Sequence, residues 1–390
     1  MCSSDLGRTA EAVALLEQAV AEHPDFFDAW FNLAVIQHSL GRLDAAIAAY
    51  TEARRIMPAS PEVRRNLASL RLFHGELTDP NWRDFAWRRL CEGFESTPFR
   101  CAAPLWKGEP LGAGSIVIHG EQGLGDEIMY ASCYPRVESE AQRTLIACND
   151  RLLALFRRSF ARAEVIGLSE APARQQTIDA FDYQVPAGDL MRHVWSGVQP
   201  GDAGGAYLVA DPQAVARWRA RLAALGPGLK VGLSWRGGTD RSNREVRSLE
   251  IRDLAPLLGE QGIHWVSLQY DTRPEEIDAI RAQQGCSLHH WQEAIDDYDE
   301  TAALVSSLDL VISVATSVVH LAGALGQTVW VLVNAVPRWC YMHSGVRLPW
   351  YASAQVFRQP KLGDWETPVA ECALTLRNYA LDVPSRSGAE

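Results

Sequence analysis

The apolar positions of this 390-residue chain follow two patterns, which change between residues 95 and 115. In the first part they recur at helical spacing, and residues return after 34 positions, as Gly41 and Gly75 or Pro24 and Pro58 do. In the second part, short apolar runs alternate with helix-like segments. The first pattern predicts amphipathic helices, and the second predicts parallel strands joined by helices.

A period of 34 residues is that of the tetratricopeptide repeat, a helix–turn–helix unit. Small and aromatic residues fill one whole unit at Trp30, Leu33, Ala34, Gly41, Ala46, Tyr50, Ala53 and Pro58. The period is lost after Gly75, because Pro80 stands where a helix interior is expected. We therefore predict a terminal helix at 82–94. Its aromatic side chains are expected to pack rather than bind a ligand: Trp82, Phe85 and Trp87.

The second pattern predicts an α/β region of two Rossmann-like lobes after the helical repeats. The predicted strands are 115–119, 144–148, 181–184, 230–235, 264–269, 308–314 and 328–333, and the predicted helices include 126–136, 151–160 and 212–225. The expected domains are 7–95 for the repeats and linking helix, 96–208 and 209–378 for the lobes, and 379–390 for a disordered tail. The opening MCSSDL has no signal-peptide features and back-translates to a common sequencing adapter. Residues 1–6 are therefore expected to be an artefact on a truncated gene.

Composition narrows the class of partner. The net charge of −11 argues against nucleic acid, whose phosphates require a basic face. The eight cysteines form no CxxC pair, so a reducing cytoplasm is expected. The segment 310–333 has no charged residue, but polar residues and a Gly-Gln-Thr turn interrupt it. We predict strand–helix–strand there rather than a membrane span.

Three loops carry candidate chemistry. The first, HGEQGLGDE at 119–127, matches neither the dinucleotide fingerprint nor a P-loop. Its Asp126 suits helix capping or general-base catalysis, with Glu121 and His119 as rival bases. The second, at 234–250, holds arginines suited to a diphosphate, unless they pair with the loop's own acids: Arg236, Arg241, Arg244 and Arg247.

The third loop, SVATSVVHLAGALG at 313–326, predicts a helix start. Thr316 is the expected N-cap of a helix at 317–325, whose free N–H groups suit a phosphate. His320 lies one turn further along, as either a ligand contact or a buried core histidine.

Together, GEQGLGDE, VGLSWRGG with a following RS, VSLQYD and DLVISVATSVVHLAGALG resemble the heptosyltransferase-type glycosyltransferases of the GT-B fold. The resemblance is strongest to the branch linked to tetratricopeptide repeats. It implies an acceptor in the N-terminal lobe, a nucleotide-sugar donor in the C-terminal lobe and Asp126 as the base. The family motif Asp-Thr-x-x-x-His reads Ala315, Thr316 and His320, so its Asp is missing.

The resemblance also sets out a full site. The acceptor loop comprises His119, Glu121, Gln122, Gly123 and Gly125, and the donor site Trp235, Arg236, Gly237, Arg247, Gln269, Thr316, Ser317 and His320. We expect an inverting transferase without metal or cofactor, acting on a protein or glycan acceptor that the repeats help to hold. The alternatives are an inactive GT-B scaffold for the repeats and, third, a sugar-nucleotide hydrolase or epimerase.

Overall fold

A computed structural model describes residues 3–94, 96–198, 204–238, 244–286 and 288–382. Two compact units divide the chain. The first contains the described part of Met1–Phe94 together with Trp195–Val198 and Val336–Ser344, and the second contains the rest. The expected disordered tail, 379–390, is wrong for residues 379–382, which belong to the last helix, and the rest of it lies outside the described residues, as does Arg241.

The first unit is built of paired helices, as the 34-residue period predicts. They are α1 (Ser3–Glu22), α2 (Phe27–Ser39), α3 (Leu43–Ile56), α4 (Pro61–Phe73) and α5 (Asp79–Phe85). Gly41 and Gly75 follow α2 and α4 with φ of 73° and 90°, a left-handed conformation that favours glycine at a helix end. Gly7, at the same spacing, lies inside α1.

The end of the repeat array differs from the prediction. Pro80 does not interrupt a helix but lies in the first turn of α5, where its missing N–H costs nothing. A 3₁₀ segment, Ala86–Leu90, continues from α5 instead of a helix to residue 94. Trp82 and Phe85 pack edge-on against Trp339, with ring centroids 5.5 and 5.2 Å apart. The aromatic cover of the array is therefore completed by the distant segment Val336–Ser344.

The first lobe of the second unit contains a four-stranded parallel sheet in the order β3-β2-β1-β4. Its elements are β1 (Ser115–His119), α6 (Leu124–Tyr130), α7 (Tyr134–Glu140), β2 (Arg143–Cys148), α8 (Leu153–Ser159), β3 (Glu164–Gly167), α9 (Gln175–Ile178), β4 (Tyr183–Pro186) and α10 (Met191–Trp195), whose last residue belongs to the first unit. The predicted helix 126–136 is two helices, because Pro135 cannot continue the hydrogen bonding of α6 and starts α7 instead.

The second lobe contains a six-stranded parallel sheet in the order β10-β9-β8-β5-β6-β7. Its elements are α11 (Pro212–Ala223), β5 (Leu229–Ser234), α12 (Ala255–Leu258), β6 (Ile263–Ser267), α13 (Pro274–Gln284), β7 (Leu288–His289), α14 (Gln292–Asp296), α15 (Tyr298–Val305), β8 (Leu310–Val314), α16 (Ser317–Ala324), β9 (Val329–Val333), β10 (Ala354–Arg358) and α17 (Glu366–Asp382). Strands β5, β8 and β9 are buried along their whole length, as continuous apolar runs predict.

The predicted strand–helix–strand at 310–333 is confirmed as β8, α16 and β9. In the described ranges, the helices are all too short or too polar to cross a membrane. The strands that the sequence pattern did not predict, β3, β7 and β10, lie at sheet edges. They are short or bounded by polar residues, so no long apolar run marks them.

Candidate functional site

The three candidate loops leave their strands where strand order reverses. In the first sheet the chain runs outward from β1 to β2 and β3, while β4 lies on the other side of β1. In the second sheet the reversal lies between β5 and β8. Open parallel sheets bind ligands at such points, beyond the carboxyl ends of the strands. The fold thus brings the second and third loops together.

Two glutamates of the first loop connect strand ends. Glu121 Oε1 accepts the N–H of Gly188, which follows β4, at 2.8 Å. Glu127 Oε1 accepts the N–H of Asn149, which follows β2, at 2.7 Å. Burial, with smaller contributions from the nearby carboxylates of Glu121 and Asp126, raises the pKa of the Glu127 carboxyl to about 8. Glu127 is therefore mostly protonated at neutral pH.

Asp126 lies at the start of α6, as predicted. It is the third helical residue after the N-cap Gly123, whose N–H lies 3.4 Å from Asp126 Oδ2. This is a long capping contact, so the carboxylate is only weakly held by it. Asp126 is buried, and so is Glu121. The ring of His119 is stacked on Phe99, with centroids 4.6 Å apart. The general-base role of Asp126 remains a prediction.

The glycines of the first loop have structural reasons that the sequence did not reveal. A Cβ on Gly120 would overlap the Glu127 carboxylate. A Cβ on Gly125 would lie 2.9 Å from His320 Cδ2 and 3.2 Å from Ser317 Cα, both on α16. Only Gly123 is exposed. Gly120 and Gly125 therefore make room for protein atoms, and Gly123 is the one left facing outward.

Gln122 has a backbone conformation that its sequence did not suggest. Its φ is +63°, which a residue with a side chain adopts at a cost. The Tyr130 hydroxyl donates to Gln122 Oε1 at 2.8 Å. The side-chain amide of Gln122 is thus held beside the start of α6. Such strained residues cluster at functional sites, which agrees with its place in the predicted acceptor loop.

The second loop divides its arginines between two tasks. Arg247 donates to the carbonyl of Ala315 at 2.7 Å and so lies beside the start of α16. Arg236 is paired with Glu276, at 2.9 Å for one contact, and with Asp271 at 3.4 Å. Arg244 is paired with Asp271 as well. Arg236 and Arg244 are therefore paired with acids that follow β6 and not with the loop's own acids, whereas Arg247 contacts the third loop.

Three more predicted donor residues are buried or closely packed against other protein atoms. Trp235 is 1% exposed and belongs to the core of the second lobe. Gln269 is fully buried, and its Oε1 accepts the N–H groups of Trp235 and Arg236 at 3.0 and 2.9 Å. A Cβ on Gly237 would lie 2.8 Å from the Ala315 carbonyl oxygen. These residues fix the path of the loop after β5.

The third loop forms the predicted helix start. Thr316 is the N-cap of α16, and its Oγ1 accepts the N–H of Val318 at 3.2 Å. Ser313 Oγ lies 3.0 Å from Thr316 Oγ1. His320 is buried, and its Nδ1 lies 3.0 Å from the hydroxyl of Tyr351, a residue that the sequence analysis did not select. His320 is therefore both a buried histidine and a residue in the first turn and a half of α16.

The first and third loops meet. Because Gly125 lies against Ser317 and His320, the starts of α6 and α16 are in direct contact within the second unit. Ala315, the residue before the N-cap Thr316, is 3% exposed. Asp126, Thr316 and His320, far apart in sequence, are thus held by two helices that touch. No group of three or more metal-ligating side chains was found among the described residues.

Comparison with known proteins agrees with this architecture. The tetratricopeptide-repeat family profile matches residues 4–61. Protein FlbA of Caulobacter vibrioides is 30% identical to 96% of this chain, which spans 65% of that relative's length. A glycosyl transferase of family 9 from Veillonella parvula superposes with a TM-score of 0.51 at 12% identity, covering 70% of this chain and 98% of that one.

The ADP-heptose lipopolysaccharide heptosyltransferase II of E. coli superposes with a TM-score of 0.47 at 14% identity, over 69% of this chain and all of that one. The likeness to the family 9 structure, at its low identity, concerns the fold. The chain therefore carries a tetratricopeptide-repeat segment at residues 4–61, and its α/β region has the GT-B fold.

Proposed function

We propose that this protein is a glycosyltransferase that moves a sugar from a nucleotide-sugar donor to a hydroxyl of a protein or glycan acceptor. The observation that carries the proposal is the contact between the starts of α6 and α16 at Gly125. It brings a buried carboxylate, Asp126, near a helix N-terminus, which is the combination a displacement at a sugar carbon needs.

In the proposed inverting reaction, an acceptor hydroxyl attacks the anomeric carbon. The bond between that carbon and the nucleoside diphosphate breaks, and the hydroxyl proton passes to Asp126. The leaving diphosphate gains negative charge, and we assign its stabilisation to the N–H groups at the start of α16 and to Arg247, which contacts Ala315 beside that helix start. Glu127 is unsuited to the base role, because a carboxyl that is already protonated at neutral pH cannot take up the proton of the acceptor.

The test of this assignment is Asp126→Asn, which keeps side-chain size and the capping oxygen but removes the basicity. Single-turnover sugar transfer with saturating donor should fall by roughly 10²–10⁴-fold, while donor affinity is retained. Glu127→Gln is the matched control, since it should leave the rate within a few fold. A D126N enzyme with most of its rate would return Asp126 to capping and pass the role to Glu121.

The alternative function is an inactive scaffold whose repeats bind proteins. Two observations favour it: Ala315 lacks the family carboxylate, and Arg236 is paired with Glu276 and Asp271. Thermal-shift measurements with ADP-, UDP- and GDP-sugars separate the two, because a bound donor raises stability by mass action. A scaffold shows no shift with any of these donors.

Ala315 also bears on the sugar. A site without that carboxylate has lost an acceptor for sugar hydroxyls, so we propose a donor other than ADP-heptose. Turnover of ADP-heptose at an ordinary enzyme rate would refute this. If the proposal is right, Ala315→Asp, which introduces the Asp of the resembled motif, should raise the affinity of the protein for ADP-heptose.

For the acceptor, we propose that the repeats contribute binding. Asn32 on α2 is exposed, and Asn66 on α4 donates to the Tyr50 hydroxyl at 3.0 Å. Trp30 is half-buried and donates to the Pro24 carbonyl at 2.9 Å, so it is mainly structural. Asn32→Ala should raise KM for a protein acceptor without changing donor affinity, whereas Thr51→Ala, an exposed change on α3, should do neither.

A further inference from the structure

A chain of hydrogen bonds links the helix that carries Asp126 to the histidine of the third loop. The Tyr207 hydroxyl lies 2.8 Å from the carbonyl oxygen of Ile128, two residues after Asp126 in α6. The Tyr207 hydroxyl is also hydrogen-bonded to that of Tyr351. The Tyr351 hydroxyl in turn lies 3.0 Å from Nδ1 of His320. All of these groups belong to the second unit.

The direction of this chain follows from the groups at its ends. A carbonyl oxygen only accepts, and a tyrosine hydroxyl has one proton to donate. Tyr207 therefore donates to Ile128 and must accept from Tyr351. The Tyr351 proton is then committed, so its oxygen accepts from Nδ1 of His320. The histidine proton consequently lies on Nδ1.

The surrounding structure is built around this chain. A Cβ on Gly323, one turn beyond His320 in α16, would overlap the ring of Tyr351. The N–H of Tyr207 donates to the carbonyl of Ala324 at 2.9 Å, at the end of the same helix. Both tyrosines are thus held against α16 independently of their hydroxyls. Gly323, in the HLAG of the third loop, is explained by the Tyr351 ring and not by a ligand.

We propose that Tyr207 and Tyr351 are positioning residues that hold His320 in its Nδ1–H form and orient it from the acceptor-lobe helix. Because Nδ1 carries the proton in this form, Nε2 is the acceptor nitrogen of the ring. Cδ2 is the ring atom of His320 that lies against Gly125 of the first loop. Only one part of this inference rests on the proposed function, namely that His320 contacts the nucleotide-sugar donor. The tautomer itself does not depend on activity.

The test is the histidine side-chain nitrogen spectrum of the full-length protein labelled with ¹⁵N-histidine, without nucleotide, at about pH 8, where a histidine of ordinary pKa is neutral. His320→Gln identifies the signals of His320. The wild-type ring should carry its proton on Nδ1. Tyr351→Phe removes the acceptor and should shift the population toward Nε2–H. Tyr207→Phe leaves the Tyr351 hydroxyl free to donate to Nδ1 of His320. It should therefore also shift the His320 population toward Nε2–H.

Tyr134→Phe is the matched control, because Tyr134 is fully buried in the same unit and its hydroxyl has no hydrogen-bond partner among the described residues. It should leave the His320 signals unchanged. A wild-type proton on Nε2, or unchanged signals in both Tyr351→Phe and Tyr207→Phe, would overturn the proposal. Gly323→Ala tests it by a second route, since displacing the Tyr351 ring should produce the same shift.

Calorimetric titration with ADP, UDP and GDP separates this proposal from the proposed function. If the wild type binds one of them, Tyr351→Phe should weaken its affinity by up to about tenfold, the upper range for one hydrogen bond. If the wild type binds none, the donor assignment fails while the tautomer result stands. If Tyr351→Phe changes the tautomer but not the affinity, His320 is ordered by the chain without contacting nucleotide, and the link to the donor is overturned.

Discussion

Glu127 allows a quantitative prediction, because its carboxyl is buried between strand ends. Its pKa is raised from an ordinary 4.5 to about 8, chiefly by burial. The folded protein therefore keeps the proton between about pH 4.5 and 8, where the unfolded chain has lost it. A raised folded-state pKa gives stability that is fully present below 4.5 and is lost as the pH rises to about 8. Glu127→Gln resembles the protonated form at every pH and removes this dependence.

The magnitude follows from the gap between the two pKa values. Each pH unit inside the window changes the free energy of unfolding by about 1.4 kcal/mol, so the whole window is worth roughly 5 kcal/mol. Between pH 5.5 and 7.5, the stability of Glu127→Gln relative to wild type should therefore rise by about 2–3 kcal/mol. The glutamine oxygen can still accept the Asn149 N–H that Glu127 accepts at 2.7 Å.

The assay is urea unfolding at several pH values, in which the labelling of the Cys148 thiol, resolved by peptide, reports the unfolded fraction. Cys148 is fully buried at the end of β2 and reports on this unit alone. Glu140→Gln, a change on the exposed end of α7, is the control and should show no trend of this size. A difference between Glu127→Gln and wild type that stays constant from pH 5.5 to 8.5 would refute the reasoning that the buried carboxyl is protonated.

Three further predictions follow from packing. Gly125→Ala should lower the free energy of unfolding by about 1–3 kcal/mol, because the added methyl group pushes α6 away from α16. Gly123→Ala, at the exposed glycine, should lower it less, and chemical denaturation of the two variants measures both changes. Equal effects would contradict the close contact at Gly125. Trp339→Ala should cost roughly 3–5 kcal/mol and raise hydrogen exchange in α4 and α5, whereas unchanged exchange there would show that the array needs no cover. Arg158→Ala breaks the partly exposed pair with Asp299, so a double-mutant cycle should give about 1 kcal/mol or less, and a much larger coupling would contradict its exposure.

Local patterns in the sequence were enough to determine the kinds of element and their order. The 34-residue period set the helix pairs, since each repeat buries its apolar face against the next one. Continuous apolar runs marked the buried parallel strands β1, β2, β5, β8 and β9. Thr316 marked the start of α16, because an N-cap depends only on the residues that follow it.

Tertiary structure alone decided which distant residues share a site. Gly125 lies against His320 only because two sheets place their reversal points together, and neither period nor motif encodes that distance. The same holds for Tyr351, which follows a different strand yet holds the His320 ring. The protonation of Glu127 and the pairing of Arg236 also depend on burial and partners supplied by other segments. Secondary structure is governed by neighbours in sequence, whereas the chemistry of a site is governed by neighbours in space.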